Sequence, residues 1–235
     1  MAAQRSDEEA PPPLVRWSAF DGPVLPSALR AWLGVVSVLA ALGVLALGVL
    51  YAGHSEPGRV DRWFVEPTAD SVGQPWRRAA LATDFLGEPA GAAALAVAIV
   101  AGCLLLRWLR AAVLVVVGGA VAVAATMLLK PLVGRTIHGE GNLSYPSGHT
   151  AFLTALALAV ALLAAGRLGL GRVAATLLVL AAALAAGAAM GWAQVALSAH
   201  YPTDVLGGWC TALAVVPASA WLVDRVADSL EDKRR

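Results

Sequence analysis

Apolar residues run through the chain in blocks of about 20 positions, separated by short polar connections. A helix that crosses a membrane needs about 20 mostly apolar residues. The first block covers 31–53 and contains no charge. It is too long for a signal peptide and is followed by further blocks of the same kind. The next apolar stretch starts near Gly87, continues to Leu129 and is broken by Arg107-Trp108-Leu109-Arg110. This pattern predicts two helices, 90–106 and 111–129, joined by a tight basic turn. Three more spans are predicted over 149–165, 173–192 and 204–223. The expected fold is all-α, a polytopic membrane protein built as a six-transmembrane-helix bundle over 30–224.

The polar remainder divides into three parts. Residues 1–29 are polar and Pro-rich and predict a flexible tail. Residues 54–86 form the longest internal connection, with Trp63, Phe64 and Trp76 spread among charges. That pattern suits either a segment lying at the headgroup level or an ordinary amphipathic linker. Residues 225–235 predict a charged tail that frays from the last helix. On the fifth span, Gly187, Ala188 and Gly191 permit close helix contact.

Composition strengthens the membrane reading. Hydrophobic residues make up 59% of the 235 residues and charged residues 14%; mean hydropathy is +0.71. Soluble domains carry roughly 25% charged residues. Two cysteines, Cys103 and Cys210, both in apolar stretches, exclude a disulfide scaffold. A net charge of +1 without a basic block argues against nucleic acid as a partner. With the N-terminus in the cytoplasm, 11 of the 17 Lys and Arg fall on inside segments. That excess favours both termini inside.

Candidate chemistry falls in two connections on the same, external, face. The first runs from Lys130 to His149 and includes Arg135 and Pro146-Ser147-Gly148-His149. The second is Ser198-Ala199-His200-Tyr201-Pro202-Thr203-Asp204. Lys130 at a helix end reads as a snorkelling anchor or as a cation for a ligand. Ser147 is a good N-cap for the fourth span, and Gly148 allows close backbone approach. The start of that helix is then a plain cap or an anion site. His149 can give or take a proton near neutral pH. His200 and Asp204 stand four apart across a helix start: an i,i+4 contact, or a carboxylate holding one ring nitrogen and leaving the other free to attack. Together these parts suit phosphoryl transfer through a phosphohistidine, needing no cofactor or metal. A metal site on His149, His200, Asp204 and His138 or Glu140 is the competing reading, and Lys130 and Arg135 would repel its cation. No ionisable residue lies in mid-span, which argues against a coupled pump.

These residues resemble the type-2 phosphatidic-acid phosphatase (lipid phosphate phosphatase) superfamily over about residues 82–224. The family's second block stands here as Pro146-Ser147-Gly148-His149, and its third block ends as His200 to Asp204, followed by Val205-Leu206-Gly207-Gly208. Its first Lys matches Lys130, and Asp84-Phe85-Leu86-Gly87-Glu88-Pro89 is similar to its approach to the second span. The resemblance implies His200 as the nucleophile, Asp204 as its orienting group and His149 as general acid and then base. It implies that Lys130, Ser147 and the Gly148 amide bind the phosphoryl group. Two family arginines are absent, their positions held by Ile137 and Gln194. Each lost charged contact weakens transition-state binding by about 2–4 kcal/mol. Arg135, two residues before Ile137, is the remaining candidate cation for the same oxygens. His138 and Glu140 either line the entrance or are loop residues. The implied substrate is a lipid phosphate of the cell membrane, met on the extracytoplasmic side; a polyprenyl diphosphate recycled for cell-wall synthesis is the first choice. Phosphatidylglycerophosphate, phosphatidic acid and polyprenyl-phosphosugar phosphates are alternatives. A relative that binds phosphorylated lipid without hydrolysing it is a further one.

Overall fold

The computed structural model describes residues 22–69 and 72–233. Among these, eight α-helices follow in order: α1 Arg30–Leu50, α2 Arg59–Ala69, α3 Gln74–Phe85, α4 Pro89–Leu105, α5 Leu109–Val133, α6 Gly148–Arg167, α7 Arg172–Ala196 and α8 Pro202–Asp232. A 3₁₀ turn, Ser27–Leu29, leads into α1. Five helices are long and apolar enough to cross a membrane: α1 with its leading turn, α5, α6, α7 and α8. The candidate for a sixth crossing is the pair of α3 and α4, in which α4 is 17 residues long and meets α3 at a bend of 61°. The chain is thus a multi-pass membrane protein of the expected all-α class.

The bend has a local cause. Pro89 cannot continue a preceding helix, but it fits the first turn of a new one, and Glu88 before it is extended, with ψ 155°. The turn is closed by the Gly87 amide donating to the Asp84 carbonyl at 2.8 Å.

Helix α6 is central and packs on α5, α7 and α8, while α1 lies along α8. Small residues line the α6 core: Ala151, Ala155, Ala159 and Ala165 are all buried. On the periphery the pattern reverses. Val38, Leu39, Leu42 and Val49 of α1 and Leu177 and Leu184 of α7 are exposed. Such apolar outer faces are what a lipid solvent stabilises. Of the small residues expected to allow close contact on α7, Gly187 and Gly191 do so, while Ala188 is exposed. A Cβ on Gly187 would sit 2.3 Å from Trp209 Cδ1, and one on Gly191 2.5 Å from Val205 Cγ1.

Three connections depart from expectation. The long connection 54–86 is mostly helical, as α2 and α3. Trp63, Phe64 and Trp76 point outward and are 68%, 56% and 64% exposed. The tail expected over 1–29 is packed from Val24 onward. The Val24 and Leu25 amides donate to the Asp224 carboxylate at 2.9 and 3.0 Å, and Val24, Leu25 and Leu29 are buried; residues 1–21 lie outside those described. The last helix does not end at 223 but runs to Asp232. Arg110, buried on α5, reaches Asp228 at 2.8 Å and Glu231 at 3.0 Å, with Asp224 at 3.8 Å. Acidic residues one helical turn apart on α8 thus meet one guanidinium, which holds the charged turns in helical form.

Candidate active site

The end of the bundle opposite Arg110 gathers the sequence-predicted residues. Helix α5 carries Lys130 in its last turn and stops at Gly134, which takes the left-handed conformation with φ 64°. The chain then turns back on itself. Thr136 and Leu143 form an isolated antiparallel bridge, and the Ser144 amide donates to the Arg135 carbonyl at 2.8 Å. Lys130 Nζ donates to the Leu143 carbonyl at 2.7 Å, leaving it two further donors. Tyr145, fully buried, donates its hydroxyl to the Val44 carbonyl at 2.6 Å. Burial pushes that hydroxyl well above the ordinary tyrosine range, so it stays a proton donor.

Ser147 starts α6 as an N-cap whose side chain accepts from the Thr150 amide at 3.4 Å. Its hydroxyl is fully buried and also lies 3.1 Å from Thr150 Oγ1. It therefore supports the helix start from within and does not face the opening. The Ser147 amide donates to the Asp204 carbonyl at 3.0 Å, tying the two motif segments together. Gly208 makes that approach possible, since a Cβ there would lie 2.3 Å from the Ser147 carbonyl oxygen.

Helix α8 begins at Pro202, and Asp204 Oδ2 accepts from the Tyr201 amide at 3.0 Å. His200 Nδ1 is buried with no hydrogen-bond partner and lies 3.7 Å from Asp204 Oδ2. His149 Nε2 lies 3.6 Å from Asp84 Oδ1. His200 and Lys130 are within electrostatic reach of His149, as is Glu88, and Lys130 is within reach of Asp204. The site therefore holds two imidazoles, each facing a carboxylate, beside one lysine and the N-terminus of α6.

Arg135 stands elsewhere than expected. It is fully buried and its terminal nitrogens are taken, by Asp204 at 2.6 Å and Asp61 at 2.7 Å. The Thr203 hydroxyl also lies 2.6 Å away. The Tyr51 and Tyr201 rings cover it, with centroids 4.2 and 4.7 Å from its central carbon. Two buried carboxylates hold a guanidinium more firmly than a site open to water would, so Arg135 grips Asp204 from behind. Asp61 accepts in addition from the Thr203 amide at 2.9 Å.

The positions of the two absent arginines are also occupied. Ile137 is buried. Gln194 donates its amide to Asp84 Oδ1, the oxygen that faces His149. His138 Nε2 lies 2.6 Å from the Ser198 carbonyl. With Glu140, Glu56, Ser55 and Tyr201 it borders a polar cavity of about 620 Å³. His138 and Glu140 thus line an opening apart from the two imidazole–carboxylate pairs.

Sequence reasoning missed Asp61 and Asp84 as site residues. Asp61 sits between Arg59 and Arg62 in the connection read as a headgroup-level segment or an amphipathic linker, and nothing in the sequence there marks it as buried. Asp84 opens the Asp-Phe-Leu-Gly-Glu-Pro run that was noted for its likeness but given no role.

The model of the PAP2 superfamily matches residues 130–227. Among solved structures, the first transmembrane PAP2 type phosphatidylglycerolphosphate phosphatase, from Bacillus subtilis, superposes with a TM-score of 0.62. It is 22% identical, and the match covers 82% of this chain and 96% of that one. No curated protein matches the chain. Both motif segments stand at one end of the helical bundle, inside the residues 130–227 that match the PAP2 superfamily model, and the chain shares its fold with the Bacillus subtilis structure.

Proposed function

We propose that the chain hydrolyses the phosphate ester or diphosphate of a membrane lipid through a phosphohistidine intermediate. The observation that carries this reading is the meeting of His200 with Asp204 and of His149 with Asp84 at one end of the bundle, next to Lys130. Asp204 faces Nδ1 of His200, which leaves Nε2 as the attacking atom. Nε2 forms a bond to phosphorus, and the bond from phosphorus to the leaving oxygen breaks. His149 gives its proton to that oxygen. Water then attacks phosphorus, His149 takes a water proton, and the phosphorus–nitrogen bond breaks to release phosphate. Lys130 and the first amides of α6, at Gly148 and His149, offer donors to the phosphoryl oxygens. Arg135 is a positioning group for Asp204 here.

The substrate we favour is a polyprenyl diphosphate, met on the extracytoplasmic face of the plasma membrane. Phosphatidylglycerophosphate is the second reading, and the name of the Bacillus subtilis structure is the observation that favours it. The test is phosphate release by the purified chain in detergent with EDTA, from each lipid, beside a His200→Ala variant. We expect release that survives EDTA and disappears in the variant. Release that needs a divalent metal, or that survives loss of His200, would overturn the mechanism. A folded chain inactive on all lipid phosphates would turn the reading to a binding protein.

A further inference from the structure

The carboxylate facing His149 comes from outside the motif segments. Asp84 lies in the last turn of α3, at the 61° bend into α4. The bend fits closely around the imidazole: a Cβ on Gly87 would sit 2.3 Å from His149 Cδ2. Asp84 Oδ1 is 3.6 Å from His149 Nε2, with the two side chains 18% and 32% exposed. From the far side Gln194 Nε2 donates to the same oxygen, and Gln194 is itself 1% exposed. The other ionisable groups within reach of His149 are Glu88 at the start of α4, His200 before α8 and Lys130 on α5.

We propose that Asp84 is a positioning residue for His149, making a second His–carboxylate pair that serves proton transfer as the His200–Asp204 pair serves attack. The proposal rests on the phosphatase reading. Asp84 keeps the ring turned toward the leaving oxygen and offsets the imidazolium charge while the proton is held. The neutral amide of Gln194 suits this role. It fixes the carboxylate without cancelling its charge, whereas a guanidinium at that place would neutralise it. The uncharged residue at position 194 is then matched to the carboxylate it holds.

The consequence is selective for the leaving group. When the phosphorus–oxygen bond of an alkyl phosphate breaks, the departing alkoxide needs the proton of His149. A nitrophenolate departs without it. The measurement is kcat/KM for dodecyl phosphate and for p-nitrophenyl phosphate in the full chain, Asp84→Asn, His149→Gln and the double variant. Asparagine keeps an oxygen to accept from Gln194. Asp84→Asn is expected to lower the dodecyl phosphate value at least about tenfold and to leave the nitrophenyl value within about threefold. It should add no further loss to His149→Gln, because the two act as one unit. Equal losses on both substrates, no loss, or additive losses would overturn the proposal. Should Asp84→Asn not fold, Gln194→Met, which removes the holding amide, must give the same selective loss. An unmodified chain inactive on both substrates would sink the phosphatase reading itself, and activity that survives loss of His200 would sink the phosphohistidine mechanism. Both outcomes are read before any Asp84 variant is made.

Discussion

At the scale of single residues, the site is governed by buried charge. Asp61, Arg135 and Asp204 are all fully buried and bonded at 2.6–2.7 Å. Removing Asp61 leaves Arg135 and Asp204 as a balanced pair but takes the acceptor from the buried Arg135 Nη2 and Thr203 amide, which costs about 1–3 kcal/mol. Asp61→Ala should therefore lower stability by about that amount, read as a drop in the thermal midpoint in detergent. Asp61→Asn, which still accepts from Thr203, should lose less. A midpoint unchanged in Asp61→Ala would show that the ion pair does not hold the site together. Lys130, His149, His200 and Asp204 were legible in the chain because their spacing meets helix ends. Asp61, the other residue gathered there by Arg135, was not, because it is 74 positions from that arginine and nothing local marks a carboxylate that will be buried.

At the scale of elements, small residues decide where segments can touch. Gly208 of α8 and Gly102 of α4 test this with one substitution. A Cβ at position 208 would meet a backbone oxygen at 2.3 Å, while at 102 nothing lies within 4 Å. Gly208→Ala should destabilise by about 1–3 kcal/mol through overpacking and reduce lipid phosphate hydrolysis, since it pushes the Ser147 segment from α8. Gly102→Ala should be neutral or stabilising by up to about 1 kcal/mol, because alanine is the better helix former. Unfolding midpoints of the pair check both signs. The spans themselves were legible to within a few residues at most ends, since apolar length alone marks them. The helices α2 and α3 were not, because their amphipathic pattern serves a surface segment and a linker equally well.

At the scale of the molecule, the two ends of the bundle differ in kind. One end gathers Lys130, His149, His200 and Asp204 with two acidic partners; the other ties α5, α8 and residues 24–25 around Arg110 and Asp224. The proposed sidedness can be checked with Cys103 and Cys210 replaced by alanine. Glu140→Cys, at the site end, should react with a membrane-impermeant maleimide in intact cells. Leu168→Cys, 69% exposed in the native chain at the other end, should react only after lysis. The reverse pattern would place the site in the cytoplasm.

Apolar block length and motif spacing determined the class, the apolar spans and the imidazoles with their lysine. These depend on neighbours along the chain and on the bilayer, so they can be read in one dimension. The tertiary structure alone decided that Arg135 serves Asp204, that Ser147 faces inward, and that Asp84 and Gln194 stand behind His149. Each is a choice among partners far apart in the chain, made by which groups are buried together and must satisfy one another's charge.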